Sequence, residues 1–489
     1  VINFTHYPDS NRVPGVYVEM DPSQANAATV LQRSLLLGQM LPTGTATPDV
    51  PVEVGSKADI YSLCGQGSML ATMATNYLTG DTFGDLWLLP VLDNPAGVVA
   101  VGTITITGPA TAAGTLNYYI GGVLVQIAVA AGDTETVIAT RLAAAVNANH
   151  DLAATASEAA GVVTMTAKHA GASGNDIDMR LNYLGALGGE YGVPGVVSTF
   201  GAMTAGSANP DITAALANLS DKTFDFIVTP YVDTANLDAL KNFLDDITGR
   251  WSWEQMLYGG AFSAFRGTLG ACTAFGNTRN DQHMSIMSFY DSPDPSWVWA
   301  AQVGAACANS LRVDPGLPLQ YITTQLKAPP VASRFDIGER NTLLYDGMST
   351  FRTGDDGSVT IERMCTTYQK NAAGATDDSY LDTETMYGLM YVARDLANYL
   401  LTRYARKKLV SDTTQILAGS NCVNAPMIKA SVCAEYRALE AGGYVQNSAQ
   451  FAAGVVVENA GSGLVKILAP VDLVNQLRQI AILLQFRKS

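Results

Sequence analysis

The chain of 489 residues is too long for one ordinary hydrophobic core, and a 48% hydrophobic fraction is ample for two to four. Charged residues are only 15% of it, below the roughly 25% usual in soluble domains, which fits a chain that covers its exterior with copies of itself and is also met in large α/β enzymes. The net charge of −15 disfavours nonspecific nucleic-acid binding, which needs basic patches against phosphates.

The first twenty residues are punctuated by Pro8, Pro14 and Gly15, and Val13-Pro14-Gly15-Val16-Tyr17-Val18-Glu19 reads as a short extended segment. Proline fixes φ and withholds a ladder donor, so this is an edge strand or an exposed arm. Ser34 to Gly38 and Asp85 to Val91 are apolar runs expected as buried strands, with a helix from Ser56 to Tyr77 between them. Such strands point to a mainly parallel sheet covered on both faces.

From Val98 to Tyr183 the chain turns rich in Ala, Gly, Thr and Val. Thr103 to Thr107 alternates as a half-buried strand, and Leu116 to Ile120 and Val123 to Val129 flank Gly121-Gly122 as a hairpin. Asp133 is expected to cap a helix with Val137, Ile138, Leu142, Ala145 and Val146 on its apolar face. Val162 to Ala167 and Asp176 to Tyr183 return to strand patterns, and the glycine-rich stretch Gly185 to Gly206 closes an inserted unit.

The α/β rhythm then resumes, with strands expected at Phe224 to Thr229, Gln255 to Tyr258 and His283 to Phe289. Helices are expected at Leu237 to Ile247, Ala264 to Phe275, and Ser296 to Leu311 with Ser296 as its cap. Asn341 to Phe351 and Val359 to Thr367 read as shorter strands. The longest helix is expected from Thr383 to Leu409, where Met386, Leu389, Met390, Ala393, Leu396, Ala397, Leu400, Leu401 and Tyr404 form one stripe. Asp382 and Glu384 sit at its N-terminal end and Arg403, Arg406, Lys407 and Lys408 at its other end, matching the macrodipole. Val455 to Val457 and Leu464 to Leu468 form a hairpin about Gly461-Ser462-Gly463. Gln479 to Phe486 is an apolar last strand that needs a neighbouring strand.

Residues 371–489 hold 11 Lys and Arg against 10 Asp and Glu, while the preceding 370 hold 18 against 34, so different faces are expected to meet different partners. The six cysteines (Cys64, Cys272, Cys307, Cys365, Cys422, Cys433) have neither CxxC nor metal-ligand spacing and read as buried free thiols. The N-terminus does not read as a signal peptide, and no apolar run is long enough to span a membrane.

Chemistry-bearing motifs are sparse. Of four histidines only His283 falls in the α/β body, and Asp281 beside it says little about a triad, which is defined by geometry. No nucleophile elbow, Walker-type loop or dinucleotide fingerprint occurs, and Gly65-Gln66-Gly67-Ser68 reads as a bend near a helix. Asp93, Asp245-Asp246 and Asp377-Asp378 are too isolated for metal spacing. The pairs Trp251/Trp253 and Trp297/Trp299 are sugar-stacking surfaces or, better, packing residues. No catalytic, cofactor or metal residues are expected.

Together, the N-terminal Val13 to Glu19, the insertion with Gly121-Gly122 and Gly174-Asn175-Asp176-Ile177-Asp178, and the terminal strand Ile480 to Phe486 resemble the tail sheath proteins of contractile phages, the Mu-like group in particular. The resemblance covers the whole chain. It implies an α/β fold with a subtilisin-like, proteolytically inactive core, an inserted small α+β domain, a C-terminal α+β domain and extended terminal arms. It implies a structural subunit, not an enzyme, that polymerises helically around a tail tube and contracts to drive the tube through the host envelope for genome ejection. The layout implied is an arm at 1–20, a core at 21–92 and 207–370, an outward-facing insertion at 93–206, a tube-facing domain at 371–478 and an arm at 479–489. Strand exchange between subunits would use Val13, Pro14, Gly15, Val16, Tyr17 and Val18, and Ile480, Ile482, Leu484 and Phe486. The basic cluster Arg403, Arg406, Lys407 and Lys408 either faces the tube or only complements the helix dipole. Implied partners are other sheath subunits, the tube protein, baseplate and tail terminator, with no nucleic acid, membrane or cofactor, in a virion tail assembled in the host cytoplasm. The alternatives are the sheath of a related contractile secretion or bacteriocin-like machine, a surface-layer or tube protein, and a subtilisin-like hydrolase.

Overall fold

The computed structural model describes residues 32–417 and 419–487. The expected N-terminal strand at Val13 to Val18 lies outside them.

The body begins with β1 (Arg33–Gln39), β2 (Val52–Glu53), α1 (Lys57–Cys64), α2 (Met69–Gly80) and β3 (Asp85–Val91). Leu35, Leu36 and Leu37 are all fully buried, each worth about 1.5–3 kcal/mol relative to exposure. The single helix expected from Ser56 to Tyr77 is two, because Gly65 and Gly67 take positive φ (81° and 77°) and Ser68 restarts the chain as an N-cap.

The insertion follows, as β4 (Val99–Thr107), β5 (Gly114–Ile120), β6 (Val123–Val129), α3 (Glu135–Ala148), β7 (Ala154–Ala159), β8 (Val162–Ala170), β9 (Met179–Leu181) and β10 (Val197–Thr204). They build two antiparallel sheets, ordered β10-β4-β8-β7 and β6-β5-β9. The Gly121-Gly122 hairpin forms as expected, both glycines at positive φ. Three expectations are corrected. Thr134, not Asp133, caps α3, since Asp133 is taken by the Ala130 amide and Arg141. Val137 points outward while Ala139 and Ala143 turn in. The glycine-rich closing segment contains β10, whose partner β4 supplies the order its own composition does not.

After the insertion come α4 (Thr213–Ala217), β11 (Phe226–Val228), α5 (Thr234–Leu244), β12 (Gly260–Arg266), α6 (Leu269–Gly276), β13 (Met284–Phe289) and α7 (Ser296–Val313). The body sheet is ordered β13-β12-β11-β1-β3-β2, parallel throughout except at the two-residue edge strand β2. Gln255 ends a turn and Met256 to Tyr258 are irregular, not a strand, and the expected helix from Ala264 begins only at Leu269, because Gly260 to Arg266 is the buried strand β12. Ser296 does not cap α7; Pro295 holds that position and the Ser296 hydroxyl bonds Asp176 of the insertion.

A small sheet of β14 (Ile322–Thr324), β15 (Thr350–Thr353) and β16 (Val359–Arg363) follows, with α8 (Ile337–Tyr345) between its first two strands. Asn341 to Phe351 is therefore half helix, nucleated by a capping box of Asp336 and Glu339. The C-terminal part holds α9 (Thr383–Tyr404), β17 (Lys408–Leu409), β18 (Cys422–Val423), α10 (Ala425–Ala441), α11 (Ser448–Gly454), β19 (Val456–Gly461) and β20 (Leu464–Leu468). It has its own core, in which Tyr436 stacks on Phe451 and Val432, Leu439 and Val455 are buried. α9 stops at Tyr404, short of Leu409, because Lys408 and Leu409 pair with β18. The same helix bridges to the body through Tyr387, stacked on Phe226 with ring centroids 5.2 Å apart. All six cysteines are free, with Cys64, Cys272, Cys307 and Cys365 buried and Cys422 and Cys433 only half-buried.

Candidate assembly interface

Three regions bear on function: the end of the chain, the basic end of α9, and the edge of the body sheet where an α/β enzyme would place its chemistry.

Beyond β20 the chain is held at successive points, first within the C-terminal part and then to the body. Leu473 bridges to Val445, the Val474 amide donates to Tyr444 O, and Gln320 Nε2 donates to Leu477 O at 3.0 Å. Arg478 Nη2 lies 3.0 Å from Asp382 Oδ1 and 2.9 Å from Glu384 Oε1, at the start of α9. Burial pushes the Glu384 carboxyl up, against the opposing pull of Arg478. One residue later the restraint ends. Every residue from 479 to 487 is exposed, Ile480 by 74% and Phe486 by 90%, and none is in a strand. The strand expected at Gln479 to Phe486 thus finds no partner among the described residues of its own chain. A run of exposed Ile, Leu and Phe marks an interaction segment. Just before this segment in the chain, β19 and β20 form a two-stranded hairpin about Ser462-Gly463 that exposes Val456, Leu464 and Leu468. Two strands alone are marginal in water and present open ladder groups.

Arg403, Arg406, Lys407 and Lys408 are all exposed around the end of α9. The Arg403 guanidinium lies 5.7 Å from the Tyr399 ring centroid, and Lys407 Nζ donates to Asn421 Oδ1 at 3.1 Å. Arg403 lies in the last turn of α9 and Arg406 just past its C-cap, at the negative end of the helix dipole.

In open parallel sheets ligands bind outside the carboxyl ends of the strands, where the order reverses. Here that point lies between β1 and β11, and beside it, at the carboxyl ends of β1 and β3, side chains link body to insertion. Gln39 Nε2, at the end of β1, donates to Asp93 Oδ1 and to Ala170 O, both at 2.7 Å. His169 Nδ1 is 2.8 Å from the same Asp93 oxygen, and His169 Nε2 accepts the Met69 amide at the start of α2. Burial raises the Asp93 pKa, but hydrogen bonds from His169, Ala170 and Gln39 outweigh it and hold the carboxyl below its usual range. His283 makes no triad: Nε2 meets Asp246 Oδ1 at 2.9 Å, Nδ1 is buried without a partner, and the ring stacks on Trp251. Trp297 and Trp299 are core residues, Trp251 is half-buried, and Trp253 alone of the four is largely exposed. Among the described residues no cluster of three His, Cys, Asp or Glu has metal-binding geometry, and no helix is long and apolar enough to cross a membrane.

Sequence reasoning singled out the apolar segment at 479–486 and the basic cluster, and both are exposed. It missed the Arg478 clamp and the Gln39–Asp93–His169 lock, whose members lie 54 to 131 residues apart and share no local pattern.

The phage tail sheath protein central domain matches residues 205–367. The tail sheath protein of the Mu-like prophage FluMu of Haemophilus influenzae is 35% identical over 489 residues, spanning 99% of each chain. Among solved structures, the sheath tail protein of Listeria innocua is 13% identical, with a TM-score of 0.47 over 91% of this chain and 92% of that one. The contracted helical sheath of the anti-feeding prophage is 12% identical, with a TM-score of 0.48 over 98% of this chain and 100% of that one. The full-length identity with the FluMu protein carries the assignment: the chain belongs to the phage tail sheath family, in its Mu-like branch, a family of structural subunits and not of enzymes.

Proposed function

We propose that copies of this chain polymerise head to tail into a helical sheath around a tail tube, each lending residues 479–487 as a strand to a neighbour. The observation that carries this reading is the apolar segment from Ile480 to Phe486, left wholly exposed by its own chain. The β19–β20 hairpin is the proposed acceptor, since added strands would satisfy its open edges while alternate side chains cover its apolar face. Each main-chain bond so formed contributes about 0.5–1.5 kcal/mol net, on top of the apolar burial. The N-terminal segment Val13, Pro14, Gly15, Val16, Tyr17 and Val18 is proposed to act in the same way.

A head-to-tail contact that does not close into a ring yields a filament. Flexible donated strands would keep subunits joined while the contacts between bodies change, so contraction is a switch between two packings that drives the tube through the host envelope. In this reading the mainly parallel body is the subtilisin-like core, spanning 21–92 and 207–370. The insertion at 93–206 faces outward, and 371–478 faces the tube through Arg403, Arg406, Lys407 and Lys408. Tube protein, baseplate and terminator are the proposed partners, with assembly in the host cytoplasm.

Electron microscopy of purified full-length protein should show long hollow helical cylinders. Deleting residues 479–489 should leave a folded monomer and no cylinders. Cylinders of normal length from the deleted protein would refute strand donation by this arm.

A further inference from the structure

The change from restrained to free chain falls at one residue, and that residue is charged. Up to Leu477 the segment is tied by backbone and side-chain bonds to Tyr436 of α10 and the turn after it, to Gln320 and to the second core; from Gln479 onward every side chain is exposed. Between them, the largely buried guanidinium of Arg478 sits on Asp382 and Glu384, about a hundred residues earlier in the chain. Asp382 also holds Arg363 at 2.8 Å, and Glu384 accepts the Leu319 amide, so the pocket joins α9, β16 and the loop before β14. Arg478 Nε and Nη1 and Glu384 Oε2 are buried without partners.

A buried ion pair with unmet donors is a poor stabiliser, because desolvating two charges offsets their attraction. Its best-attested use is to specify position: a guanidinium can rest in this pocket at only one register of the chain. We propose that Arg478 is the positioning residue of the C-terminal arm, fixing where it leaves the body and hence which residues are available to a neighbour. The proposal rests on the strand-donation reading and adds to it a fixed root. A strand launched from a fixed point arrives with less entropy to lose than one at the end of a loose tether.

The test uses the full chain in three forms. Arg478→Ala leaves Glu384 buried without its cation, so the main variant is the double substitution Arg478→Gln with Glu384→Gln, which removes both charges and keeps an acceptor for Leu319. Arg478→Lys keeps the charge but not the planar fork. For the double variant, hydrogen exchange should rise by about tenfold or more in residues 473–478 and remain unchanged elsewhere, while polymerisation followed by light scattering slows by about tenfold. Arg478→Lys should recover part of that rate. A double variant that polymerises at the wild-type rate overturns the anchor, as does a slowed one whose exchange at 473–478 is unchanged. The deletion of residues 479–489 separates the two ideas. If the deleted chain polymerises normally, strand donation has failed; if it does not and the double variant does, only the anchor has.

Discussion

Asp93 stands where the chain leaves β3 for the insertion, and it gathers Gln39, His169 and the Ala170 amide onto one carboxylate. Its folded pKa is depressed, so the unfolded chain binds the proton more readily. The stability it contributes is therefore complete above the unfolded value of about 3.9 and disappears as pH falls through the lower folded value. Asp93→Asn should cost about 1–2 kcal/mol at neutral pH by weakening charge-assisted hydrogen bonds, and should flatten the loss of Tm between about pH 5 and about pH 2. Parallel Tm curves for variant and wild type across that range would show that Asp93 carries no such linkage. Nothing in the local sequence about Asp93 announces this role. It read there as an isolated acid because its partners come from β1, β8 and the end of β8, brought together only by the insertion folding back on the body.

At the scale of elements, helix α7 shows how closely the layers meet. A Cβ built on Gly304 would lie 2.5 Å from Val228 Cγ2 of β11, and one on Gly80 of α2 would lie 3.0 Å from the Ala305 Cβ. The helix lies against the sheet because residue 304 has no side chain. Gly304→Ala should destabilise the protein by about 1–3 kcal/mol through overpacking, read as a lower urea midpoint with an unchanged slope. An unmoved midpoint would show that the layers have room to part. Elements were legible where the pattern was local: β1, β3 and β13 as apolar runs, and the two glycine hairpins from turn chemistry. β12 was misread because burial on both faces leaves no alternation to separate strand from helix. α8 and α10 do carry local signals, the Asp336/Glu339 box in one and Asn424 with Pro426 in the other.

Across the whole molecule, subunits of net charge −15 must approach one another to form a sheath, and like charge resists that approach. The exposed cations at the end of α9 are a concentrated exception. Reversing Arg406 and Lys407 to Glu should weaken assembly on isolated tubes, more at low salt than at high salt, and leave the monomer's Tm within about 0.5 kcal/mol equivalent. Sedimentation of sheath with tubes measures this, and an unchanged sheath yield would reduce the cluster to dipole complementation. The β1–β11 switch belongs to this scale too. An α/β sheet offers a ready site there, and this chain ties the root of its insertion to the carboxyl end of β1 beside it.

The amino-acid sequence by itself determined the alternation of strand and helix, the inserted hairpin unit, the family, and the presence of an apolar segment at the chain end that lacked an obvious partner. These are written in short-range pattern and composition, which a linear reading can recover. Only the tertiary structure decided that the segment remains exposed and that Arg478 marks where it becomes free. It alone brought His169 and Asp93 together with Gln39 at the end of β1, too. Each depends on contacts between residues tens to hundreds of positions apart, where register and burial, not periodicity, choose the partner.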